Sequence, residues 1–316
     1  KTDTGTDLPE VKLVFSTQSS GDVNYVKAMH MIADEISEKT NGKFTMEIHE
    51  NGSLMTQEGE VDAVARGSLD MMFSSPFLIS DQMPYLTMFT AAYIFQNEQH
   101  MRAVMDGEIG QKVADDVAEK LNVRWLSALY CGARHLDMRD IGREITKPED
   151  LKGLKMRVME NQVFIDFFNT LGASATPMGF NELFTGLQQN TVDGQENPPS
   201  LIYASRLQEV QKYLSVTEHV NNFLGFIINK NFYDGLSQEQ QQTVTEAAAE
   251  FVKQQRQMEL QDTQVYIDKL KESGMQVNTL TPEEKTAFKE ALAPMYEKYK
   301  AEFGEEIFSM AEEYGQ

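Results

Sequence analysis

From Ser237 to Gly274 the intervening chain contains neither glycine nor proline, and Ser237 and Gln240 stand at the spacing of a capping box. The run predicts a single helix of roughly 36 residues, ~54 Å long at ~1.5 Å per residue. That is longer than one domain is wide. Such a helix has to lie across two domains, and 316 residues supply two of ordinary size. Hydrophobic residues make up 41% of the chain and charged ones 24%, which allows substantial cores and excludes a disordered tail.

Ahead of that helix, short strand patterns alternate with amphipathic helices. Val11 to Phe15 reads as a strand, followed by a helix with Tyr25, Met29, Ile32 and Ile36 on one face and a stop at Asn41-Gly42. Phe44, Met46 and Ile48 alternate as a second strand. A short helix through Val61 and Val64 ends at Gly67, and Leu69 to Phe73 is a third, buried strand. This β-α-β-α-β order is that of an α/β protein with right-handed crossovers. Strands return at Val123 to Tyr130 and Lys155 to Met159, followed by a helix through Phe164, Phe167, Phe168 and Leu171 that reads as core packing. Asn181 is placed to cap a helix carrying Leu183, Phe184 and Leu187. Phe223 to Ile228, the strongest apolar stretch, has strand length. Thr281-Pro282-Glu283-Glu284 starts a late helix, which Pro294 kinks or ends.

Twenty-eight Lys and Arg stand against 49 Asp and Glu, a net charge of −21. A field of that sign repels phosphate backbones and anionic lipid, so no nucleic-acid partner is expected. No segment reaches the ~20 apolar residues of a membrane helix, so no direct membrane insertion is expected. Lys1 to Glu10 are polar, without a signal-peptide core; the chain is cytoplasmic, or a mature form whose targeting segment was removed. Walker, G-x-G-x-x-G and G-x-S-x-G motifs are absent. His30, His49, His100, His135 and His219 are scattered, and no pair has metal-ligand spacing. Cys131, the sole cysteine, forms no intrachain disulfide and reads as inert packing. No cofactor, metal or catalytic residue is expected.

What remains is arginine. In Leu154-Lys155-Met156-Arg157-Val158-Met159, Met156 and Val158 share one strand face and Arg157 takes the other. A strand arginine can point to solvent. Pointed into a cleft, it is the side chain suited to grip a carboxylate through two parallel hydrogen bonds.

Around this residue the sequence resembles the substrate-binding proteins of TRAP (tripartite ATP-independent periplasmic) transporters. The resembling blocks are Asp150-Leu151-Lys152-Gly153-Leu154-Lys155-Met156-Arg157-Val158, then Thr176-Pro177-Met178-Gly179-Phe180-Asn181-Glu182, then Gly186-Leu187-Gln188-Gln189-Asn190-Thr191-Val192-Asp193-Gly194-Gln195-Glu196-Asn197-Pro198. Glu209 to Leu214, Asn51-Gly52-Ser53-Leu54 and Gly67-Ser68-Leu69-Asp70 fit as well, so the resemblance runs from about Val11 to about Tyr299.

The resemblance implies an α/β, two-domain periplasmic binding protein fold, with a ligand cleft between the domains and a long domain-spanning helix. By resemblance and helix length, residues 1–131 plus 223–262 form domain I, and 132–222 plus 263–316 form domain II. It implies no reaction: an organic acid is captured by domain closure and delivered to a membrane-embedded TRAP permease. The protein is then periplasmic, and a monomer is expected. Partnership with a sensor protein would use the same fold. An enzyme acting on an anchored carboxylate would need an acid, base or nucleophile that no motif supplies.

Residue by residue, the resemblance assigns the ligand carboxylate to Arg157 and a second contact to Arg134, in the loop step Gly132-Ala133-Arg134, where truncation should be milder because water can substitute. Asn197 takes a ligand hydrogen-bonding position, or is a turn residue before Pro198; Phe180 packs on the ligand, or is core. Family members that bind sialic acid carry Asn and Glu where this chain has Ser16 and Ser75. With Phe15, Phe73, Phe77 and Met159 close in sequence, the far wall is expected to be largely apolar and only modestly selective. Against that expectation stands Glu160, beside Arg157 at the strand end and able to accept hydrogen bonds from a hydroxylated sugar acid.

Overall fold

The computed structural model describes residues 9–305 and 308–309. Val11–Ser16 (β1) leads into Asn24–Lys39 (α1), whose Tyr25, Met29, Ile32 and Ile36 are all buried, and on to Phe44–His49 (β2). Gln57–Arg66 (α2) is capped by Thr56, whose hydroxyl accepts from the Gly59 amide, and precedes Met71–Ser74 (β3). Both β2 and β3 run parallel to β1, on either side of it. Glu98–Met105 (α3) and Glu108–Leu121 (α4) bring the chain back to the sheet as Val123–Met138 (β4).

A second parallel layer follows. It consists of Lys155–Val158 (β5), Gln162–Thr170 (α5), Ser174–Pro177 (β6), Leu183–Gln188 (α6), Gly194–Asn197 (β7) and Pro199–Ala204 (α7). Asn181 does not cap α6: a 3₁₀ turn at Phe180–Glu182 comes first, and no side chain caps the helix. Tyr213–Asn229 (β8) and the short Lys230–Gly235 (α8) precede Gln238–Glu272 (α9), the long helix, 35 residues with the expected Ser237/Gln240 box. Gln276–Thr279 (β9), Pro282–Ala291 (α10) and Ala293–Phe303 (α11) complete the described elements, and Pro294 begins α11 rather than kinking α10.

The two layers share one sheet, in the order β2-β1-β3-β8-β4-β7-β5-β6, with β9 also against β8. Its spine is the antiparallel pair β4–β8, matched from Val123 opposite Asn229 to Met138 opposite Tyr213. One end of the pair carries β3 on Met71 to Ser74, and the other carries β7 and β9. The sequence pattern ends β4 at Tyr130 and puts Arg134 at a loop edge, with His135 and Asp137 beyond it. In the fold they are buried strand residues, and the irregularity is absorbed by register shifts, one of them between Tyr130 and Ala133.

Helix α9 lies along this spine and packs on α1, α7 and β4. It is stitched to the bulge by side chain–backbone bonds. Gln255 accepts from the Tyr130 amide (3.2 Å) and donates to its carbonyl (2.6 Å). Arg256 donates to the Ala128 carbonyl and forks onto Asp106 at 2.7 and 2.9 Å. Glu259 accepts from Asn24 of α1 and Ser200 of α7, so one buried carboxyl ties the long helix to both layers.

Gly132 sits in the bulge at φ 82°, where L residues are strained, and a Cβ there would meet Glu259 Oε1 at 2.8 Å and Pro198 Cβ at 3.3 Å. Gly132→Ala should therefore cost about 1–3 kcal/mol, the usual range for a residue forced into a sparsely populated backbone region. Urea unfolding reads the loss, and an unchanged midpoint would contradict this account.

Candidate functional site

Strands β1, β3 and β5 all point their carboxyl ends at one cavity, the usual place for a ligand in a parallel sheet. About 700 Å³ of space between atoms lies within it, mouth and adjoining solvent included. The second layer contributes Arg157 and Met159 from β5 and its end, Phe180 from the 3₁₀ turn, and Asn197, Pro198, Ser200 and Leu201 around the start of α7. Cys131 and Arg134 of β4 and Asn222 and Leu224 of β8 form the floor. The first layer supplies Thr17, Gln18 and Ser19 past β1, Gln57 and Glu60 of α2, and Phe73 and Ser75 at β3.

The two arginines are held differently. Arg134 is 4% exposed and forks onto Glu196 of β7: Nε and Nη2 donate to the two carboxylate oxygens, and Nη2 also to the Glu196 carbonyl. His219 lies 3.3 Å from the same carboxylate, its other ring nitrogen 2.7 Å from the Thr217 hydroxyl. Burial pushes the Glu196 carboxyl up, but Arg134 and His219 override it and bring its pKa down to about 2. Arg134 and Glu196 thus cancel.

Arg157 is 2% exposed on the face opposite Met156 and Val158, as the alternation predicts. Only its Nε is engaged, donating to the Met178 carbonyl at 2.9 Å. Among the described residues Nη1 and Nη2 have no hydrogen-bond partner, and the guanidinium lies 6.0 Å from the Phe180 ring. Burial lowers its pKa only to about 10, so it stays charged at neutral pH. The geometry is a charged planar fork, anchored at the stem and open towards the cavity.

The wall facing it is polar. Glu60 is 1% exposed, and its Oε1 accepts from Ser16 Oγ at 2.6 Å and Gln18 Nε2 at 3.2 Å. Gln18 also donates to the Met55 carbonyl, and the Ser19 and Tyr25 hydroxyls are 2.5 Å apart. Beneath Asn197, a relay runs from its Nδ2 to Gln195 Oε1 (2.5 Å) and from Gln195 Nε2 to Asp137 Oδ2 (2.7 Å). Among the described residues no His, Cys, Asp and Glu gather to hold a metal, and no helix is long and apolar enough to cross a membrane.

The family model for bacterial extracellular solute-binding proteins, family 7, matches residues 15–302. The chain belongs to this family. A solute-binding protein of Verminephrobacter eiseniae is 36% identical over 277 residues, 88% of this chain and 81% of the relative. The 2,3-diketo-L-gulonate-binding periplasmic protein YiaO of Escherichia coli is 32% identical over 260 residues, 82% and 77% of the two chains. Among solved structures, the sugar acid binding protein DctPAm of Advenella mimigardefordensis, in complex with galactonate, superposes with a TM-score of 0.92 at 33% identity, covering 98% of this chain and all of the other. The protein is thus an extracytoplasmic solute-binding protein of the TRAP type with the two-domain α/β fold, and not an enzyme.

For this solute-binding protein the sequence reading brings Arg157, Arg134, Asn197, Phe180, Met159 and Ser75 to one cavity. Two candidates lie elsewhere. Glu160 lines a separate outer groove with Glu58, Asp62 and Lys298, because β5 has ended and Asn161, accepting from the Val163 amide, is already capping α5. Ser16 lies behind the wall as the donor to Glu60, and Gln18, past the strand end, takes the cavity-facing place. The expected apolar wall is overturned: Phe15 is in the core, Phe77 lines the outer groove, and only Phe73 and Met159 reach the cavity. Nor is Arg134 at a loop edge open to water; it is a buried strand residue tied to Glu196. The sequence reading missed Gln18, Gln57, Glu60 and the partner role of Glu196. Glu60 carried a signal, a carboxyl directly beside Val61 on the buried face of α2.

The relay gives the solute-binding protein a pH signature. Asp137 is fully buried, its Oδ1 has no hydrogen-bond partner, and burial raises its pKa to about 8. A carboxyl whose folded pKa lies above its unfolded value favours the fold at low pH, and that contribution fades as pH rises from about 4 to about 8, at up to about 1.4 kcal/mol per pH unit. Asp137→Asn keeps an acceptor for Gln195 without the proton. Thermal unfolding of the variant should fall less than wild type between pH 5 and pH 8; parallel losses would contradict the assignment.

Proposed function

We propose that the protein captures a polyhydroxylated monocarboxylic acid, a sugar acid, and delivers it to a TRAP permease as a monomer. The observation that carries this reading is Arg157, with its stem pinned to Met178 and both terminal nitrogens free beside the cavity. Counting charge sets the valence. Arg134 is cancelled by Glu196 and Asp137 is protonated at neutral pH, so Arg157 is the one cation left to pair with a carboxylate, and the Glu60 carboxyl on the facing wall disfavours a second anionic group. Arg134 acts by holding Glu196 and the floor, with Nη1 remaining for the ligand. Phe180 and Met159 cover the bound acid, Asn197 and Ser75 hydrogen-bond it, and the Gln18–Glu60 wall takes its hydroxyls. The sugar acid bound by the Advenella protein and the diketo sugar acid named for the E. coli relative support the same class.

Binding closes two domains, residues 1–131 plus 223–262 and residues 132–222 plus 263–316, about a hinge where β4 and β8 pass the bulge and α9 passes Glu259. A ligand bridging both walls selects the closed state by its differential affinity. Small-angle scattering should give a smaller radius of gyration with saturating ligand; an unchanged curve would remove the hinge.

Calorimetry on a panel of aldonates, uronates and dicarboxylates tests the ligand class. Removing the Arg157 fork leaves a desolvated carboxylate unpaired, so Arg157→Ala should cost about 2–5 kcal/mol, roughly 30- to several-thousand-fold in Kd. Arg157→Lys restores charge without the fork and should recover only part of it. Wild-type affinity in Arg157→Ala, or dicarboxylates binding more tightly than every sugar acid, would overturn the proposal.

A further inference from the structure

Thr56, not Glu60, caps α2, and among the described residues no arginine or lysine pairs with the Glu60 carboxylate. Its place on the buried face beside Val61 suits an apolar residue, and a carboxyl sunk there is costly unless something hydrogen-bonds it. Ser16 and Gln18 both donate to Oε1, and Gln18 is itself fixed by the Met55 carbonyl, so the carboxyl is held in one orientation. Oε2 has no partner among the described residues, and the side chain lines the cavity. We propose that Glu60 is a specificity-determining residue, whose Oε2 accepts hydrogen bonds from hydroxyls at the end of the solute remote from its carboxylate. This rests on the reading that Arg157 grips that carboxylate.

The surroundings add a proton to the event. Burial raises the Glu60 pKa to about 7, the Ser16 and Gln18 bonds oppose it, and Glu58 on the same helix adds to it. The strand and segment packed over the carboxyl bring only uncharged Ser16 and Gln18. Across the cavity, Arg134 and Arg157 are not among the groups that shift it. Hydroxyl donors stabilise the ionised form, so the pKa falls when the solute binds. Near pH 7 binding should release protons, and affinity should grow as pH rises from 6 to 8.

The test is calorimetry of wild type, Glu60→Gln and Glu60→Ala with galactonate and with hexanoate, a six-carbon acid without hydroxyls, in two buffers of different ionisation enthalpy. Glu60→Ala should weaken galactonate by about 10- to 100-fold, the loss of a charged hydrogen-bond partner, and leave hexanoate within a few-fold. Glu60→Gln, the shape-preserving variant, should lose the proton release and flatten the pH dependence. Galactonate binding within threefold of wild type in Glu60→Ala, an equal loss for hexanoate, or proton uptake on binding would overturn the assignment of Glu60 while leaving Arg157 standing. Wild type preferring hexanoate would overturn the sugar-acid reading and this inference together.

Discussion

The antiparallel pairing of β4 with β8 is the constraint on which everything else hangs. Each strand, 16 and 17 residues long, serves both layers, so the backbone that floors the ligand cavity is also the connection between domains. A bulge at Tyr130 to Ala133 interrupts the ladder at the level of the cavity, and Gln255 of α9 satisfies the Tyr130 backbone there. Buried polar backbone must find partners. Here they come from a helix that touches both layers, so the ladder is interrupted at the crossing point without leaving it unpaired.

Electrostatically the site is an exception inside an acidic molecule. With a net charge of −21, long-range steering opposes any anionic solute, so recognition depends on short-range, desolvated contacts. Arg157 is suited to such contacts, since burial removes the screening that weakens surface pairs. Arg134 contributes in another way, since its fork onto Glu196 fixes the floor in a single arrangement and cancels its own charge.

Much of this was legible in the residues. The period-3.6 face of α1, the alternation that turns Arg157 away from Met156 and Val158, and both capping boxes of α9 and α10 depend on local sequence and appear as read. The errors share a cause, which is that a side chain's partner can be far away in sequence. Arg134 looks like a loop residue until Glu196, 62 positions later, is brought beside it. Glu160 is adjacent to the site in sequence and outside it in space, because a strand end and a helix cap fall between. The polar wall was missed because Ser16, read as its tip, is the support for Glu60, 44 positions on.

The position of β8 within the sheet has a consequence for how the chain acquires its shape. Strand β3 is complete by Ser74 and β4 by Met138, yet neither pairs with the other; the partner of both begins at Tyr213. The first 138 residues therefore hold two sheet fragments with a vacant slot between them, whereas the second layer joins β4 directly through β7 and gains only β9 once β8 is in place. Contacts of such sequence separation form late and slowly, because the intervening loop must be closed before they stabilise anything. The sheet of the first layer cannot be joined to β4 until the chain has emerged past Asn229. A polypeptide that works outside the cytoplasm gains from this, since in a partly emerged chain the first layer is still unjoined and cannot obstruct its passage.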